Sequence, residues 1–155
     1  MARLQASLVL ILIAVSMVGT RLAAAPPAGP CFTSGSVTYQ VTASSASDYR
    51  IRIDSQALQP DLRIQLVDNA NDADLVLVDD VDITDRGVCR ADGAFKTVSV
   101  VGPDSAPALT VSLSRAEASD FRLFVRSARF SQRDAAALFA AMWDAKRKQD
   151  MAEIR

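Results

Sequence analysis

An α+β fold is predicted by three features of this 155-residue chain. These are short segments of strict in–out alternation, Gly/Pro/Asp-rich breaks between them, and a single long helical period near the C-terminal end. The expected architecture is a mostly antiparallel or mixed sheet of about six strands, with one long C-terminal amphipathic helix packed on it.

The chain opens with Arg3, an apolar run from Ala6 to Gly19, and the small-residue stretch Ala23-Ala24-Ala25 before Pro26. This is the layout of a secretory leader. Residues 1–25 are therefore read as either a cleaved signal peptide or an N-terminal anchor. Pro26 directly after the cleavable alanine disfavours cutting there, because its nitrogen carries no hydrogen and its backbone is fixed. Retention would need residues 4–25 to tether the protein to a membrane with Arg21 snorkelling outward. Either reading exports the remainder to the periplasm or extracellular space, free or anchored to the inner membrane.

Residues 26–35, with Pro26, Pro27, Gly29 and Pro30, form a stiff spacer. A single exported domain follows over 36–150, and 151–155 is a charged tail. Within the domain, Ser36–Thr42 alternates Val37, Tyr39 and Val41 with polar residues, and Tyr49–Ile53 places Arg50 and Arg52 opposite Tyr49, Ile51 and Ile53. Asp54–Gln59 is expected to form one helical turn stopped by Pro60. Leu62–Leu66 repeats the alternation.

Asp68–Asp74 is a polar turn, and Leu75-Val76-Leu77-Val78 is apolar on both faces. A strand of that kind is expected in the centre of a sheet, covered on both sides. An irregular excursion over 79–93 carries Cys89. Phe95–Val101, Leu109–Leu113 and Asp120–Ser127 are further strands, with a turn at Gly102-Pro103-Asp104-Ser105 and a brief helical turn set by Ser114 and Glu117. The last element begins at Ser131, in capping-box spacing with Asp134. Its stripe is Ala135, Leu138, Met142 and Ala145, widened by Phe139 and Trp143. No internal repeat stands out.

Composition narrows the chemistry. The 17 basic residues less Arg3 and Arg21 leave 15 against 18 acidic ones, a net charge of −3 for the exported part. That argues against a nucleic-acid partner, which requires a basic surface. There is no histidine, which removes the usual general base near neutral pH and the His-dependent nucleophile pairs and metal sites. The balance leans away from an enzyme, and no cofactor is implied. In an oxidising compartment the two cysteines, Cys31 and Cys89, are expected to form one structural disulfide.

Two charged clusters remain. Asp68, Asp72, Asp74, Asp79, Asp80, Asp82 and Asp85 lie within 18 residues, a supply of hard oxygen ligands for calcium or of carboxylates for a histidine-independent hydrolase. EF-hand spacing is absent, and turn formation with solubility accounts for the cluster better than a metal site does. The second cluster is cationic. Arg50 and Arg52 share one strand face, and Arg122 and Arg126 share another with Phe124 between them. Were those strands neighbours, a guanidinium row would grip a carboxylate or phosphate. These five residues are the expected contact surface of a non-catalytic binding or accessory domain, whose partner is an envelope protein or an anionic ligand.

Overall fold

The computed structural model describes residues 30–78, 94–115 and 119–153. Residues 1–29, the segment 79–93 with Cys89, and Glu117 lie outside the described residues. The fold is α+β: one C-terminal helix packs on a mixed sheet. The sheet has eight strands rather than about six. They are β1 (Cys31–Ser34), β2 (Val37–Val41), β3 (Tyr49–Ile53), β4 (Leu62–Leu66), β5 (Leu75–Val78), β6 (Ala94–Val100), β7 (Leu109–Ser114) and β8 (Phe121–Arg126), followed by α1 (Gln132–Glu153). The strand beyond those expected is β1, taken from the end of the presumed spacer. It joins β2 through a tight turn whose first central residue, Gly35, has φ 59°. That positive φ at the first position suits the hairpin turn that follows strand twist.

Spatial order is β1-β2-β6-β3-β7-β4-β8-β5. Only β1–β2 is antiparallel; the other six pairings are parallel. Of the two expected alternatives, mostly antiparallel or mixed, the sheet is mixed, and its parallel pairings predominate. Parallel neighbours ordinarily need a long crossover to bring the chain back to the starting edge, whereas the links here are six to eight residues (42–48, 54–61, 67–74, 101–108, 115–120). Stagger resolves the conflict. Val98 is the partner of both Val41, where β2 ends, and Tyr49, where β3 begins. Val111 likewise serves Ile53 and Leu62, and Leu123 serves Leu66 and Leu75. Each strand starts at the level where its predecessor stopped, so the chain steps sideways without turning back. The first pass lays down β2 to β5 with gaps, and β6, β7 and β8 fill those gaps.

This staircase contains a repeat that the alternation had hidden. Strands β3, β4 and β5 begin 13 residues apart, each directly after an aspartate: Asp48, Asp61 and Asp74. At every handover that aspartate accepts a backbone N–H of the shared strand. Thr97 N donates to Asp48 Oδ2 at 2.8 Å, Thr110 N to Asp61 Oδ2 at 2.7 Å, and Arg122 N to Asp74 Oδ2 at 2.8 Å. Asp120, before β8, takes Arg63 N in the same way at 2.8 Å. An N–H facing the gap between two successive strands has no ladder partner, and the carboxylate supplies one.

Two further expectations are corrected. Strand β5 is at the sheet's edge, with Val76 48% and Val78 42% exposed. Leu75 and Leu77 pack towards the core, and Val76 lies beside Phe124 of β8, so both faces are apolar without the strand being central. Asp54–Gln59 forms turns and no helix.

Helix α1 begins as the spacing predicts. Asp134 N donates to Ser131 Oγ at 3.1 Å, and Ser131 N returns a bond to Asp134 Oδ2 at 3.2 Å. Beyond the cap, the helix does more than lay one stripe on a sheet. All seven residues from Ala135 to Ala141 are at most 5% exposed, so this half is enclosed on every side. It touches β2, β3, β4, β6, β7 and β8. Strands β2 and β8 are five positions apart, about 24 Å in a flat sheet, yet residues of both line one cleft beside the helix. The sheet therefore curls around α1. Five of the seven enclosed residues are alanine, which lets the strands approach the helix closely. Ile51, Leu62, Ile64, Val98, Val111 and Leu123 supply the sheet's share of the core.

Candidate functional site

Alternation sends every second residue of β3, β4, β7 and β8 away from α1, and no described helix packs on that outer face. Its pattern follows the interleaving. The first-pass strands bring arginines: Arg50 and Arg52 on β3, and Arg63 with Gln65 on β4. The second-pass strands between them bring hydroxyls: Thr97 and Ser99 on β6, and Thr110, Ser112 and Ser114 on β7. Strand β8 then adds Arg122, Phe124 and Arg126. In register, Arg50 lies beside Ser99, Arg52 beside Thr110, Arg63 beside Ser112, and Gln65 beside both Ser114 and Arg122.

All five residues singled out from the sequence thus share one face. Strands β3 and β8 are not neighbours, however; β7 and β4 separate them. Arg50 and Arg52 form one group and Arg122, Phe124 and Arg126 another, and Arg63 stands between the two. Sequence reasoning missed Arg63, although the outward position in Leu62-Arg63-Ile64 is the same signal that selected Arg50.

The arginines differ in what they already hold. Arg52 Nη2 donates to the carbonyls of Pro103 at 2.7 Å and Ser105 at 2.6 Å, fastening the β6–β7 link. Arg122 pairs with Asp74 through Nη2–Oδ1 at 3.0 Å and Nε–Oδ2 at 3.3 Å. That side-chain contact, with the Arg122 backbone N–H second, holds the Asp74 carboxyl below its ordinary pKa. Both guanidinium groups are therefore engaged in the fold. Arg50, Arg63 and Arg126 have no side-chain hydrogen bond or ion pair among the described residues, while Nε is buried without a partner in both Arg50 and Arg52. Phe124 is half-buried beside Val76, which makes an apolar border at the β8–β5 end.

The acidic cluster behaves differently. Asp68 pairs with Arg115 at 2.7 Å, Asp74 serves the β5 handover, and Asp72 closes a short 3-10 turn begun by Asn69. Asp79, Asp80, Asp82 and Asp85 lie outside the described residues. Among the described residues no group of three or more Cys, Asp or Glu is placed to hold a metal ion. Nor is any described helix long and apolar enough to cross a membrane. Comparison with known proteins finds no matching family model, no matching curated protein and no matching solved structure.

Proposed function

We propose that the chain is a small exported, non-catalytic binding domain. Its contact surface is the outer sheet face, and it takes an anionic ligand or the acidic surface of an envelope protein. The observation that carries this reading is the contrast among the arginines. Where a guanidinium has a structural task, its partner is present, as for Arg52 and Arg122. Arg50, Arg63 and Arg126 stand on the same face without one, beside rows of serine and threonine hydroxyls. Guanidinium forks flanked by hydroxyl donors suit the oxygens of a carboxylate or phosphate. The contact set is accordingly Arg50, Arg63 and Arg126 with Phe124 at its border, while Arg52 and Arg122 position the strands.

Titration of the 15N-labelled protein with pyrophosphate, followed by NMR, tests this. Shifts are expected at the arginine Nε–H groups and at amides of β3, β4 and β8. Affinity should fall about tenfold or more in Arg50→Gln/Arg63→Gln, since each charged hydrogen bond is worth roughly 1.5–3 kcal/mol. Arg133→Gln, on the helix, should leave it unchanged. Shifts spread evenly over all arginines, or an unaltered Kd in the double variant, would remove the reading.

A further inference from the structure

On the opposite side of the sheet, where its two ends approach around α1, there is a cleft of about 580 Å³. That volume is in the range of small-molecule sites. Its walls are Val37 and Tyr39 of β2, Phe121 of β8, and Phe139, Met142 and Trp143 of α1. Phe121 and Phe139 meet edge to face, with centroids 5.1 Å apart. At the mouth stand Lys146, Gln149, Asp150 and Glu153, on the last turns of the helix.

Two polar groups distinguish this cleft from a packing fault. Tyr39 is only 3% exposed and lines the cleft. Burial first, and the nearby Tyr49 second, push its phenol above the ordinary value, so it stays protonated and acts as a donor. At the cleft wall that hydroxyl can donate to an acceptor bound there. Lys146 is an ammonium at the mouth with no ion pair among the described residues.

We propose that the cleft binds a single-chain amphiphile with a carboxylate head, a medium-chain fatty acid in chemical class. The aliphatic body lies along Phe121, Phe139, Met142 and Trp143, and the head meets Lys146 and the Tyr39 hydroxyl. Asp150 and Glu153 stand at the same mouth, so a diacid or phosphate meets more repulsion there than a monoanion does. The cleft and the outer arginine face are on opposite sides of the sheet, so the failure of either reading leaves the other standing.

Trp143 is the chain's single tryptophan, which makes its emission a direct reporter. The full chain is titrated with dodecanoate below its micellar concentration, and separately with dodecylamine. A saturable change in Trp143 emission with dodecanoate is expected, with dodecylamine at least about tenfold weaker. Lys146→Glu, an exposed substitution that leaves the core intact, should weaken dodecanoate by about tenfold or more. Ala145→Phe, which fills the cleft, should abolish binding, with circular dichroism confirming that both variants fold. A non-saturable response would overturn the proposal. So would equal binding of the two amphiphiles, or unchanged dodecanoate affinity in Lys146→Glu.

Discussion

Four aspartates at strand starts share one task, and their chemistry is titratable. Asp48, Asp61, Asp74 and Asp120 each accept a backbone N–H where one strand succeeds another. Removing such an acceptor costs about 1 kcal/mol net at an exposed position. Asp61→Ala should therefore lower Tm by roughly 3–5 °C for a domain of this size. The Asp48 carboxyl is held below its ordinary value of 3.8 chiefly by the Thr97 N–H, and Asp74 chiefly by the Arg122 side chain. A carboxylate whose folded pKa is depressed stabilises the fold fully above its unfolded pKa. That stabilisation is lost as pH falls from about 3.8 towards the lower folded value. Urea midpoints at pH 7 and pH 3 measure it, and an Asp48→Ala/Asp74→Ala variant should show a smaller acid loss than the parent. An equal loss in both proteins would mean that other carboxylates carry the acid sensitivity.

The helix and the sheet edge show how far local pattern reaches. Ser131, Asp134 and the apolar positions of α1 were legible because a cap and a 3.6-residue period are local properties. Its enclosure was not, since alanine reads as neutral on a helix whether it faces strands or water. Leu138, fully buried, should cost about 2–5 kcal/mol when changed to Ala. Ala136→Leu, Ala137→Leu and Ala140→Leu separate an enclosed helix from one lying on an open face. Enclosure makes all three destabilising by about 1–3 kcal/mol, read from denaturant midpoints, whereas a single neutral position would reveal an open side. Strand β5 misled for a related reason. Apolar residues on both faces indicate covering on both faces in a flat sheet, but in this curled one they belong to an edge strand next to Phe124.

At the level of the whole molecule, alternation told which face each residue takes and was silent about which strand lies next door. Arg50 and Arg126 lie on one face of the sheet, but their separation by β7 and β4 was invisible. Parallel pairing was invisible too, because short links ordinarily exclude it. The 13-residue period escaped notice since only the aspartates mark it. Export and the proposed Cys31–Cys89 bridge belong to this scale as well. The bridge expected from the sequence pairs Cys31, at the start of β1, with Cys89, which lies outside the described residues. Such a bridge would tie β1 to the segment between the two passes and is worth about 4 kcal/mol in the chain-entropy model. The non-reduced intact mass of protein from the cell envelope should be two hydrogens below the reduced value; full reducible mass without reductant would exclude the bridge. The interleaving also dictates an order of events. Strands β2, β3, β4 and β5 make no ladder with one another; every partner except β1 comes from β6, β7 or β8, some fifty residues later. While the polypeptide is being made, its first half is a string of sticky segments with nothing to zip to. Folding waits for the second half and then closes many distant contacts together, the slow and chaperone-dependent regime of high contact order.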